Sequence, residues 1–129
     1  MTLLKPCSKN GVARHFPVED FRTYADPELS RSAPWVEGVC FLPECGRVFS
    51  PSRSWQIYCC AGCEAKGKAE LRRYGHKAAL ALLTWRMGKY ETNDPAVQAT
   101  ARAARRFVTH VQSSWLADRQ ARAELRGQG

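Results

Sequence analysis

From Val97 onward the apolar positions of the last third of the chain fall at Val97, Ala101, Ala104, Val108, Val111 and Trp115, in steps of four, three, four, three and four. That rhythm returns to one side of an α-helix every two turns, and Phe107 and Leu116 widen the stripe. Asn93-Asp94-Pro95 supplies the start. The Asp94 carboxylate can accept the first free backbone N–H groups, and a proline at the first helical position gives up no hydrogen bond that it needed. The pattern predicts a long helix to about Leu125 with one buried face.

Upstream, Glu64 to Tyr74 predicts another helix, with Glu64 and Lys68 four residues apart in the favourable order, and Gly75 ends or kinks it. The stretch from His76 to about Lys89 is denser in apolar residues (Leu80, Leu82, Leu83, Trp85, Met87) and predicts a buried helix. The short connection from Tyr90 to Asp94 folds the long helix back antiparallel, as a helical hairpin. The long helix then outruns its partner. Its overhang is expected on the cysteine-rich centre, on the N-terminal segment, or on a second copy of the chain as a homodimer. Near the start, Pro6, Pro17, Pro27 and Pro34 limit helix to short pieces such as Val18 to Ala25.

The length, 129 residues, suits one small domain, and 44% hydrophobic residues suffice for it to fold. A short chain buries a small share of its surface and often needs a staple, for which there are six cysteines. No run approaches the roughly 18 to 20 apolar residues of a membrane-spanning helix, so no membrane partner is expected. Pro6, Cys7, Ser8 and Asn10 break any apolar stretch between Met1 and Gly11, which speaks against a secretory signal and for a cytoplasmic location. In a reduced compartment clustered thiols more often bind metal than form disulfides.

Charge is unevenly placed. Residues 1–39 carry five basic and five acidic groups, whereas the rest holds 15 Lys and Arg against seven acids, the whole of the formal +8. One-sided placement of this kind suits a polyanion, and 11 of those 15 cations are arginine, the residue suited to bidentate phosphate contact.

The chemistry lies in Cys40-Phe-Leu-Pro-Glu-Cys45, then 13 residues beginning with Gly46, then Cys59-Cys60-Ala61-Gly62-Cys63. Two close pairs of thiolates are what a tetrahedral structural zinc needs, each pair a local chelate and the two together clamping a loop poor in apolar residues. Spacing alone leaves either Cys59 or Cys60 to pair with Cys63. Gly46 directly after Cys45 lets the backbone turn and aim N–H groups at sulfur, and a cysteine at a helix N-terminus is favoured as thiolate. Arg47, Arg53 and Lys66 could offset the negative charge of a four-thiolate site, with Phe49, Trp55 and Tyr58 as its small core.

The run Cys45-Gly46-Arg47-Val48-Phe49-Ser50-Pro51-Ser52-Arg53, followed by Gln56-Ile57-Tyr58-Cys59-Cys60-Ala61-Gly62-Cys63, resembles small bacterial and phage treble-clef zinc fingers. In these a Cys-Gly knuckle precedes an F-x-P-x-R segment, and Q-x-Y-C-S-x-x-C opens a helix. The resemblance implies zinc ligands at Cys40, Cys45, Cys59 and Cys63, a bacterial or phage origin, and a treble-clef-like finger. Two departures stand out: Cys60 replaces the usual serine, and the first pair encloses four residues where two is commoner.

The expected fold is therefore mainly α: an irregular N-terminal segment with a short helix (1–38), a four-cysteine treble-clef-like zinc finger (39–75), and an antiparallel helical hairpin with a long basic C-terminal helix (76–126). No enzyme is expected. A catalytic zinc keeps an open position and a nearby base, and an HNH-type nuclease would carry histidines on the helix after the finger, where this chain has none before His76. Cys7 and His15 read as a free thiol and a surface histidine, His76 and His110 as ordinary helix residues, and a Cys60–His nucleophile pair lacks an oxyanion motif and an orienting group.

The expected function is non-enzymatic binding of nucleic acid, double-stranded DNA first, by a regulator or accessory factor with one structural zinc. Arg47, Arg53, Lys66, Arg72, Arg73, Lys77, Arg102, Arg105 and Arg106 are the candidate phosphate contacts. The alternative is an adaptor or inhibitor that binds a larger enzyme, with Trp35, Trp55 and Trp115 as anchors.

Overall fold

In the computed structural model, which describes residues 18–128, helices dominate and the chain divides into two units between Pro34 and Trp35. Cys7 and His15 lie outside the described residues. The first unit holds two short helices, α1 (Phe21–Tyr24) and α2 (Asp26–Arg31), on either side of the buried Ala25. Pro27 sits in the first turn of α2, where its missing N–H costs nothing, so helix resumes past the point where it was expected to stop.

The second unit begins with an irregular, cross-tied segment. Val39 and Val48 form an isolated antiparallel bridge. Backbone bonds run from Cys40 N–H to the Arg47 carbonyl at 2.8 Å, from Phe49 N–H to Gly38 at 2.8 Å, and from Phe41 N–H to Ile57 at 2.7 Å. They gather a small core of Cys40, Leu42, Ile57 and Tyr58, edged by Trp35, Phe41 and Phe49. Trp55, expected in that core, is 53% exposed. Gln56 shapes the turn instead: its Oε1 accepts from Ser52 N–H at 2.8 Å, and its amide donates to the Tyr58 carbonyl at 2.8 Å.

The chain then enters α3 (Ala61–Gly88), a single helix that runs straight through Gly75. A mid-helix glycine costs only about 1 kcal/mol relative to alanine, and no bond is lost as it would be at proline, so helix formers on both sides carry the helix past it. A tight connection leads to α4 (Pro95–Gln128). Asp94 caps it as expected, with Oδ1 accepting from Ala96 N–H at 3.0 Å and Val97 N–H at 3.3 Å.

The two long helices pack as a hairpin along small residues. Gly88, Ala101 and Ala104 are buried there, and a Cβ on Gly88 would lie 2.9 Å from the Ala101 methyl, whereas the buried Gly67 packs against the Tyr58 ring. The expected stripe on α4 holds along its centre, with Ala101, Ala104 and Val111 buried and Val108 and Trp115 half-buried. Val97 at its start is exposed, and Phe107 and Leu116, expected to widen it, are 45% and 58% exposed, because a single partner helix covers only a narrow side of α4. The expectation of a buried helix at 76–89 does not hold: Leu80 is 74% and Met87 76% exposed, and Leu82 and Leu83 are more than half exposed. A two-helix hairpin offers each helix one neighbour among the described residues, so only one of α3's apolar faces is covered.

Candidate metal centre and basic surfaces

The structure brings Cys40, Cys45, Cys59 and Cys63 together, with all four sulfurs within 4.8 Å of one another. Cys40 and Cys45 come from the cross-tied loop, Cys59 from the bend that leads into α3, and Cys63 from its first turn. Gly46 adopts φ of +61°, the left-handed turn that glycine takes without strain. The turn brings the Arg47 N–H to the Cys45 sulfur, the main reason the Cys45 thiol lies below its ordinary pKa. Cys60 is exposed at the N-cap of α3 and outside the cluster, so its neighbour Cys59 is the residue that joins Cys63.

The donor set suits a tetrahedral metal ion. Metal–sulfur bonds of about 2.3 Å place tetrahedral sulfurs about 3.8 Å apart, and the Cys45–Cys59 and Cys59–Cys63 sulfurs stand 3.7 Å and 3.6 Å apart. A disulfide would need about 2.05 Å. Electrostatics point the same way. Burial pushes the Cys59 thiol up to about 11 and raises Cys63 further, because crowded, desolvated thiols cannot all ionise without a cation. Cys60, by contrast, is lowered to about 7 by the N–H of Cys63.

The α4 overhang lies on the cysteine-rich centre, the first of its three expected places. Arg119 donates to the Phe41 carbonyl at 2.6 Å, Arg126 to the Pro43 carbonyl at 3.0 Å, and Arg122 to Glu44 Oε1 at 2.8 Å. These acceptors are in the four-residue spacer between Cys40 and Cys45. Behind them, Glu70 of α3 is 2% exposed and accepts from Trp115 Nε1 at 2.6 Å and Arg119 at 2.7 Å, while Arg122 pairs with its other oxygen at 2.9 Å. Burial raises the Glu70 carboxyl, but the bonds from Trp115, Arg122 and Arg119 outweigh it and hold its pKa below the ordinary value. This cluster has no counterpart in the sequence reading.

Trp115 is thereby withdrawn from the candidate partner anchors: besides bonding Glu70 it stacks on Tyr74, with centroids 4.7 Å apart. Trp35 is half-buried and edge-on to Phe41, which leaves Trp55 exposed, with the Arg53 guanidinium 4.4 Å from its ring.

All nine candidate phosphate contacts (Arg47, Arg53, Lys66, Arg72, Arg73, Lys77, Arg102, Arg105, Arg106) are exposed, and among the described residues none of them pairs with a carboxylate. They do not form one patch by proximity in sequence. Arg47 and Arg53 belong to the cysteine-rich loop, Lys66 to Lys77 to the first half of α3, and Arg102 to Arg106 to the distal hairpin. No described helix is long and apolar enough to cross a membrane. No protein-family model, curated protein or solved structure matches the chain.

Proposed function

We propose that the chain is a non-enzymatic, zinc-binding protein of the treble-clef-like type that binds nucleic acid as a regulator or accessory factor. The observation that carries this reading is how the charges are divided. Of the seven acids from residue 40 onward, six are engaged within the fold: Glu44, Glu70 and Asp118 with arginines of α4, Glu64 with Lys68, and Glu91 and Asp94 with backbone N–H groups of the turn. The nine exposed cations named above are left for an external anion, and a repeating phosphate backbone can engage several of them together.

Zinc fits as the structural ion because four thiolates close its coordination shell and leave no position for a reacting water. Released from its metal, the loop around Cys40–Cys63 retains only the small core described above, so chelation is expected to unfold it.

The test is anisotropy of the zinc-loaded protein with a DNA duplex of about 20 base pairs at several salt concentrations. The logarithm of affinity should fall linearly with log salt, and R102A/R105A/R106A should bind more weakly with a slope shallower by about 2 to 3. Absence of binding at low salt refutes the reading. One observation favours a protein partner instead: Leu80, Leu83 and Met87 share an exposed face of α3, and a pull-down that depends on them would establish the adaptor.

A further inference from the structure

Six arginines of α4 fall into two sets. Arg119, Arg122 and Arg126 are tied to Glu70, Glu44 and the backbone of the finger. Arg102, Arg105 and Arg106 are exposed and, with Thr109 and Trp85 of α3, line a groove of about 410 Å³ along the distal hairpin. Steps of three and four place Arg102, Arg105 and Arg106 on one side of α4. The acids nearest in sequence, Glu91 and Asp94, are bonded within the turn.

Trp85 is the unusual member. It is half-buried at the edge of the helix interface, with the Arg105 guanidinium 5.3 Å from its ring centroid. Unlike Trp115, its indole N–H has no hydrogen-bond partner among the described residues. An indole lining the groove with a free donor, and three guanidiniums without a carboxylate partner, of which Arg105 lies over the ring where a base could take its place, make a π platform beside an anion clamp.

We infer that this groove binds single-stranded nucleic acid, an unpaired base stacking at Trp85 while Arg102, Arg105 and Arg106 hold the flanking phosphates. A duplex shows a groove between two helices only its backbone and base edges, so the indole can meet a base face only where the base is unpaired. The inference rests on the nucleic-acid reading above and narrows it to an unpaired strand at this site.

The test uses the zinc-loaded full chain with fluorescein-labelled oligothymidylate of about 20 nucleotides and a duplex of equal length. W85L, which keeps apolar bulk, should lose about 10-fold in oligothymidylate affinity with its log-salt slope unchanged, and W85F should stay within about 3-fold of wild type. R102A/R105A/R106A should flatten the single-strand slope by about 2. Irradiation with a bromodeoxyuridine-substituted oligonucleotide should give an adduct at Trp85 in the unmutated chain, a readout independent of variant folding. Wild-type affinity in W85L, equal loss on oligonucleotide and duplex, or an adduct confined to Trp55 overturns the site. Duplex binding without oligonucleotide binding also overturns it but leaves the broader reading standing. Failure to bind either probe at low salt removes both.

Discussion

Replacing Glu70 tests whether the hairpin and the cysteine-rich segment are held as one piece. Its carboxylate is 2% exposed and takes Trp115 Nε1 at 2.6 Å and Arg119 at 2.7 Å on one oxygen, and Arg122 at 2.9 Å on the other. E70A leaves the Arg119 guanidinium and the Trp115 indole N–H without their anion and takes from Arg122 one of its three carboxylate partners, Glu44 and Asp118 remaining. Breaking a buried pair on one side costs about 3 to 5 kcal/mol. The guanidiniums keep 19% and 20% exposure, so water offsets part of the loss and about 3 kcal/mol is the better figure. For a unit of this size 1 kcal/mol moves the melting temperature by about 4 to 8 °C, so a zinc-saturated E70A should melt about 15 °C lower by far-UV circular dichroism. E70Q, with one acceptor oxygen left, should lose about half as much. Since the folded Glu70 pKa lies below the ordinary 4.5, its contribution is whole above pH 4.5 and disappears as pH falls through the lower folded value. The gap between wild type and E70Q should be constant from neutral pH to about 5 and close in more acid solution. A loss under about 4 °C for E70A, or additivity of E70A with R119A in a double-mutant cycle, would refute the ionic tie.

Glycine positions give a paired test. G75A, at an exposed mid-helix site with nothing within 4 Å of the new methyl, should stabilise by about 0.5 to 1 kcal/mol, whereas G67A, whose methyl would overlap the Tyr58 phenol, should destabilise by about 1 to 3 kcal/mol. Like effects in urea unfolding would contradict the placement of Tyr58. C59S should lose bound zinc and C60S keep it, measured by release to a chromophoric chelator; loss in C60S would put Cys60 in the centre. Because Cys59, at about 11, and Cys63, raised further, are protonated at neutral pH without metal, zinc binding to the four thiolates should release at least about two protons. Calorimetric enthalpies should therefore vary with buffer ionisation heat, and buffer-independent enthalpies would contradict the raised thiols.

Features set by neighbouring residues could be read directly. The Asp94-Pro95 start depends on a carboxylate two and three residues from the N–H groups it caps, and the stripe through Ala101, Ala104 and Val111 depends only on helical spacing. The cysteine pairs pointed to a thiol cluster but left Cys59 or Cys60 open by spacing; in the structure Cys59 joins the cluster, and Cys60 takes the N-cap of α3 and is exposed. Exposure of Leu80, Leu82, Leu83 and Met87 was not legible, because apolar composition says how much surface a helix would bury and not how many neighbours will cover it. Gly75 misled for a related reason, since its penalty is small against a helix secured at both ends by packing.

The burial of Glu70 did leave a signal, though not at Glu70. The steps of four, three and four that carry the α4 stripe to Trp115 continue at Arg119, Arg122 and Arg126. Residues in phase with a buried stripe face the same side, so these three arginines had to point into the fold, where each guanidinium requires an acceptor. Glu70 supplies one from α3, and the carbonyls of Phe41 and Pro43 with the Glu44 carboxylate supply the others. The four-residue spacer between Cys40 and Cys45, longer than the finger pattern usually has, is thus the surface that α4 grips, and the same residues that separate two clustered cysteines anchor the far end of the hairpin. Arg102, Arg105 and Arg106 fall out of phase with the stripe and point outward. Phase along a single helix therefore separates cations that hold this fold from those free to meet an anion outside it, a distinction that counting charge cannot make.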